Sequence, residues 1–127
     1  MNLSLQASIY NVQEAMLQLP QVECEVFHHF ADGVYARELH IPAGVCLTGA
    51  LHLTNHFFSV SKGECYSVTH EGREHHVAPY LGQTYPNTKR VIYAVTDTVW
   101  TTFHPTNETD VDKIAAEILG DSECLSQ

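Results

Sequence analysis

The spacing of apolar residues divides the chain into three zones. Near the start, Ile9, Val12, Met16 and Leu19 recur close to helical spacing, and Pro20 ends the pattern. This predicts an amphipathic helical arm over residues 1–21. From 22 to 105 the pattern changes to short runs rich in Val, Tyr, Phe, Thr and Ile. Turn signals separate the runs: Ala31-Asp32-Gly33, Pro42-Ala43-Gly44, Ser61-Lys62-Gly63, His70-Glu71-Gly72-Arg73 and Tyr85-Pro86-Asn87-Thr88. Turns at intervals of about 8–12 residues predict an all-β sandwich or barrel, not alternating βα units. In the third zone, 106–120, Val111, Ile114, Ala115, Ile118 and Leu119 fill the i, i+3, i+4, i+7, i+8 positions of a helix. Thr109 is the expected N-cap and Gly120 the expected stop. Residues 121–127 are expected to form a flexible tail.

Charge narrows the function. Fifteen acids face six basic residues, for a formal net charge of −9. Nucleic acids and anionic membranes need clustered Lys and Arg, so neither is an expected partner. Nine histidines make the surface potential sensitive to mild acid. No apolar run approaches the ~20 residues that cross a bilayer. The opening residues lack a basic segment followed by an apolar block, so no leader is expected. The cysteines at 24, 46, 65 and 124 form no CxxC pair. Reduced thiols in a cytoplasmic protein are the expectation.

The candidate chemistry lies in the stretch "GALHLTNHFFSVSKGE", Gly49 to Glu64, where His52 and His56 stand four apart. On one straight strand, four residues at ~3.3 Å would hold them ~13 Å apart. A zinc ion needs each ligand nitrogen at ~2.0–2.1 Å, so that arrangement excludes a shared metal. If Leu53-Thr54-Asn55 reverses the chain, the two become neighbours across antiparallel strands. Facing Cβ atoms there lie ~4.5–5.5 Å apart, which permits chelation. The alternative is that both are hydrogen-bonded barrel residues without a metal.

The same stretch resembles the first motif of the cupins, small double-stranded β-helix barrels. In that motif a Gly, five residues, His-x-His, three or four residues, Glu, six residues and a Gly follow one another. Here Gly44, His52, His56 and Gly63 keep the spacing, with Ala50 at the first His position and His56 at the Glu position. In the second motif, Pro86-Asn87-Thr88 resembles the proline turn, and Val91 stands where a His is usual. The stretches "HHFADGVYARELHIPAG", Lys89-Arg90 and "DTVWTTFHPTNETDVDKI" are similar to those of short cupin-like proteins of phage and bacterial genomes. The resemblance implies a cupin jelly-roll barrel over 22–105, with short terminal helices.

A third metal ligand is expected from His104. Along 98–104, however, Val99, Thr101 and Phe103 read as the core face, which would turn His104 outward unless the strand end re-aims it. His52, His56 and His104 are thus the candidate ligands for a divalent transition metal. Imidazole suits Zn, Fe, Ni or Cu alike. Tyr66, Tyr93, Phe58 and Trp100 are candidate pocket aromatics, though core filling is the commoner role. Arg37 and Arg90 are candidate anchors for a carboxylate or phosphate, against the commoner surface salt bridge. Tyr66, Arg90 and Tyr93 are the candidate ligand-contacting residues. Glu38 and Glu64 are conceivable proton-transfer groups, with solvent-facing strand positions as the commoner role. The pairs His28-His29 and His75-His76 face opposite ways on a strand and cannot chelate as pairs, so surface or interface roles are expected.

Two functions follow. One is a phage-type accessory, structural or binding module with a histidine metal site in the barrel mouth. The other is a metal-dependent isomerase, lyase or dioxygenase acting on a small molecule. Terminal helices and open sheet edges favour a homo-oligomer, and a protein partner fits the first function.

Overall fold

The computed structural model describes residues 3–120. Cys124 and the tail expected to be flexible lie outside the described residues. Helix α1 spans Leu3–Leu17, and helix α2 spans Val111–Ile118. Between them run nine strands: β1 (Glu25–Ala31), β2 (Val34–Ile41), β3 (Cys46–Thr48), β4 (His56–Lys62), β5 (Glu64–Thr69), β6 (Gly72–Val77), β7 (Tyr80–Thr84), β8 (Val91–Ala94) and β9 (Thr98–Pro105). They form two antiparallel sheets. One has the order β1-β2-β9-β4-β7 and the other β3-β8-β5-β6. Strands distant in sequence therefore pair, and the interior collects side chains from the whole chain.

The turn signals lie where the chain reverses. Gly33 and Gly72 adopt φ of +80° and +117° in the β1–β2 and β5–β6 turns. Gly44 and Gly63, the two motif glycines, adopt φ of +83° and +91°. They differ in surroundings. A Cβ on Gly44 would meet nothing within 4 Å, whereas one on Gly63 would lie 2.2 Å from the Asp97 carbonyl oxygen. Gly44 serves only the left-handed backbone, and Gly63 also lets the β4–β5 and β8–β9 turns approach.

The core joins both sheets through Leu39, Ile41, Leu47, Phe58, Val60, Cys65, Ile92, Ala94 and Trp100. Strand β9 turns the face opposite to that read from its sequence. Thr98, Trp100 and His104 are buried inside; on the face read as core, Thr101 is buried but Val99 and Phe103 are only half-buried. Packing volume decides this: Trp100 stacks on Phe58 of β4, with centroids 4.2 Å apart and planes 6° from parallel. Turning Trp100 outward would expose one of the largest apolar surfaces in the chain.

Helix α2 covers one barrel end. Ile114 and Ile118 pack on Tyr35, forming a second apolar cluster. Its N-cap is Asp110, not Thr109; the Asp110 carboxylate accepts from the backbone N–H groups of Asp112 and Lys113. Glu108 takes up Thr109, whose N–H donates to the Glu108 carboxylate at 2.9 Å. Leu119 ends the helix by turning extended into a bridge with His52. Gly120 permits that contact, since a Cβ there would lie 2.8 Å from Leu53 and 2.9 Å from Leu51. Helix α1 rests on β3 and β5. Among its described side chains Ile9 and Gln13 are buried and Val12 is exposed, as is Leu19 beyond the helix end. Gln13 replaces the expected apolar contact because the Thr48 hydroxyl donates to its carbonyl at 3.0 Å.

Replacing Gly44 with Ala should cost about 1 kcal/mol, the penalty of left-handed backbone. Gly63→Ala should cost about 3 kcal/mol or more, because overpacking adds to that penalty. Urea denaturation of the two variants measures the difference, and equal losses would refute the close-approach role of Gly63.

Candidate metal centre

The barrel interior is apolar around Leu39, Val60 and Trp100 and polar beneath α2. Three histidines meet at the polar end. His52 follows β3, and its backbone bridges Thr88 on one side and Leu119 on the other. His56 opens β4, and His104 lies near the end of β9, beside Tyr35 of β2. The reversal at Leu53–Asn55 is present, but it carries the chain from one sheet to the other and is not a hairpin. The ring centroids lie 4.8 Å apart for His52–His56, 4.5 Å for His56–His104 and 5.7 Å for His52–His104. One ligand nitrogen from each ring lies within 4.8 Å of the other two.

Hydrogen bonds orient the rings. The Nδ1–H of His52 donates to the Ala50 carbonyl at 2.8 Å, and that of His56 to the Thr54 carbonyl at 3.1 Å. Each bond leaves Nε2 with its lone pair. On His104, Nε2 pairs with the Thr102 hydroxyl at 2.9 Å. Its Nδ1 is buried with no partner. Second-partner bonding that fixes the tautomer is the usual arrangement around a metal-binding imidazole. A buried nitrogen without a partner is costly, and a metal would relieve that cost. The residues therefore fit a divalent ion. Tetrahedral bonds of ~2.0–2.1 Å place nitrogens roughly 3.3 Å apart, so the rings would close slightly on binding.

Burial and mutual proximity hold the three rings neutral. Desolvation, then the neighbouring His56, lowers the His52 pKa to about 4. Desolvation, then His56 and His52, lowers that of His104 to about 3. Desolvation also lowers that of His56. Neutral imidazole is the form that binds metal, so these ligands need shed no proton near neutrality.

The other candidate residues separate. Arg90 lines a cavity of about 60 Å³ with His52, His56 and Arg37. A neighbouring cavity of about 120 Å³ lies between His52, His104 and α2. Tyr66 and Tyr93 are Cα partners on the outward face of the four-stranded sheet. Tyr66 stacks on exposed His75, and Tyr93 is 44% exposed, so neither lines these cavities. Glu38 bonds His29 and His40 outside the barrel, and Glu64 bonds His75. His76 departs from the surface role expected of its pair, being fully buried against the Ser67 hydroxyl. Thr84, Thr88 and Thr102 also line the smaller cavity. Thr84 and Thr102 had no signal beyond the alternation of their strands, and Thr88 only its place in the proline turn.

No protein-family model matches the sequence, and no curated protein matches it. Solved structures are similar in fold. A cupin superfamily protein from Desulfitobacterium hafniense has a TM-score of 0.55 at 10% identity, with 68% of this chain and 83% of that chain covered. A Cupin 2 conserved barrel domain protein from Salinispora arenicola has a TM-score of 0.57 at 12% identity, covering 74% of this chain and 84% of its own. The fold is the cupin barrel. A salicylate 1,2-dioxygenase from Pseudaminobacter salicylatoxidans shares the fold over 92% of this chain, with a TM-score of 0.63 at 8% identity. The present chain spans 35% of that dioxygenase's length. Within this cupin barrel, no helix among the described residues is long and apolar enough to cross a membrane.

The lowered histidine pKa values give a pH dependence. Unfolded histidines take up protons near pH 6.5, whereas folded His52 does so only near 4. Between those values the unfolded chain binds more protons, so stability falls as pH falls. The melting temperature of metal-free protein should be flat above about pH 7 and decline from about 6.5 towards 4. His52→Gln should make the decline shallower. An unchanged slope in that variant would contradict a neutral, desolvated His52.

Proposed function

We propose that this chain is a metal-dependent cupin in which His52, His56 and His104 hold one divalent transition ion, Zn, Fe, Ni or Cu, for isomerase, lyase or dioxygenase chemistry on a small molecule. The observation that carries the reading is the convergence of three neutral imidazoles, with the partnerless Nδ1 of His104 among them. An ion held by neutral ligands keeps its full charge and would supply Lewis-acid polarisation. The Ala50 and Thr54 carbonyls and the Thr102 hydroxyl hold the rings in place. Helix α2, seated through Ile114 and Ile118, limits water entry from its end. The fold's occurrence in a salicylate 1,2-dioxygenase supports small-molecule chemistry. Free thiols at Cys24, Cys46 and Cys65 support a reducing, cytoplasmic setting.

Elemental analysis of protein made without a histidine tag tests the site. The expectation is one metal per chain. His52→Ala or His56→Ala should weaken zinc binding by more than the roughly 10–100-fold typical of losing an outer partner. Wild-type protein that neither carries metal nor binds added zinc or nickel would refute it.

A second reading is a phage-type accessory module that assembles through its surface, with itself or a protein partner. The outward face of the five-stranded sheet favours it, since Phe27, Phe57 and Leu81 are 45%, 53% and 67% exposed. Such residues on one face suit self-association. Sedimentation velocity should then show a homo-oligomer that Phe57→Asp dissociates. A wild-type monomer at high micromolar concentration would remove this reading.

A further inference from the structure

The smaller cavity beside the histidines is lined by Arg37 and Arg90, and no carboxylate among the described residues lines it. Arg90 is the informative residue. Its Nη1 donates to the Ser67 hydroxyl at 3.0 Å and its Nη2 to the Thr84 hydroxyl at 3.1 Å. Both acceptors are neutral, and a guanidinium has five N–H donors. The ring of Phe58 lies 4.8 Å from its central carbon and that of Trp100 lies 5.4 Å away. These contacts hold the group in place, and none of them carries a negative charge. Ser67 is itself fixed by His76, whose Nε2 lies 2.8 Å from its hydroxyl. The hydroxyl can therefore accept from Arg90 while donating to His76. Glu74, the Cα partner of Ser67, acts on Arg90 from the same face of the sheet, but it is exposed and does not line the cavity. Burial lowers the Arg90 pKa to about 10, so the group stays cationic at neutral pH.

We propose that this pocket binds a small organic carboxylate, with the Arg90 guanidinium as its principal anchor and Arg37 as a second cation. A half-buried, hydrogen-bonded planar cation is matched by a planar carboxylate, which can accept two parallel hydrogen bonds. Leu39, Leu47, Ile92 and Trp100 supply an apolar wall for the rest of the ligand. That wall favours an organic acid over inorganic phosphate. The cavity volume of about 60 Å³ sets the size. That volume admits only a small acid of a few heavy atoms. Its lining includes His52 and His56, so the carboxylate would sit beside the metal ligands. The inference rests on the metal-centre reading for any chemistry, though not for binding.

Trp100 is the only tryptophan in the chain, so its fluorescence reports this pocket. Metal-free and zinc-loaded protein would each be titrated with propionate, its uncharged analogue propionamide, and inorganic phosphate. Propionate should give a saturable change in both forms, with propionamide and phosphate at least 10-fold weaker. Arg90→Gln should weaken propionate at least 10-fold, and Arg90→Lys less, because charge is kept while the planar fork is lost. Circular dichroism checks that the variants fold. If Arg90→Gln does not fold, Thr84→Val decides, since freeing one arm of Arg90 should weaken propionate at least threefold. No saturation with propionate in either form, equal binding of propionamide or phosphate, or unchanged affinity in folded Arg90→Gln would each overturn the proposal. Propionate binding by protein that takes up no zinc supports the carboxylate site and removes the metal reading. Zinc uptake without propionate binding does the reverse.

Discussion

Phe58 and Trp100 stack inside the barrel, with ring centroids 4.2 Å apart, and the side-chain parity of β4 and β9 follows from that contact. Side chains alternate along a strand, so burying Phe58 also turns His56 inward. Burying Trp100 likewise turns Thr102 and His104 inward. The register pairs Phe58 with Thr102 and Val60 with Trp100, which aligns the two inward faces. The same aromatic pair carries the Arg90 guanidinium. One apolar contact thus places two of the three histidines and the Arg90 cation.

The barrel has an apolar half that stabilises it and a polar half that requires compensation. Burying apolar area is favourable at about 25 cal/mol per Å². Burying polar groups costs energy unless each finds a partner. Most of them do: His52 and His56 use carbonyls two residues back, and Arg90 uses two hydroxyls. His104 Nδ1 does not. The resulting region has neutral imidazoles, two cations and, among the described residues, no lining carboxylate beside a small cavity. That composition is unusual for a region whose only role is packing, and it suits a metal and an anion.

Helix α2 connects this region to the end of the chain. Ile118 accepts a backbone hydrogen bond from Leu53, and Gly120 donates one to Leu51. The segment carrying His52 is therefore held between the Thr88 turn and the helix end. Gly120 is needed there because of close approach to Leu51 and Leu53, a requirement that a helix-stop reading of the sequence does not contain.

Local chemistry made much of this legible in the sequence. Gly and Pro mark turns because few other residues adopt their backbone angles, and the 3.6-residue period of α2 follows from helix geometry. The unbroken spacing from Gly44 through His52 and His56 to Gly63 carried the barrel fold and the histidine pair. The facing of β9 was misread, because Val-Thr-Trp-Thr-Thr-Phe-His offers apolar residues on both faces. Only the position of Phe58 in space, not the alternation itself, selects one. Arg90 was a candidate by its charge, but its burial depends on Ser67, Thr84 and Trp100, which lie up to 23 residues away. Tyr66 and Tyr93 were candidates by type and lie on the outer face, since the inward positions go to Cys65, Ser67, Ile92 and Ala94. Sequence by itself determined the elements, the turns and the histidine spacing, because these depend on neighbours in the chain. Which side chains share the interior was decided by the tertiary structure, because sheets pair distant strands and a one-residue change of parity exchanges their faces.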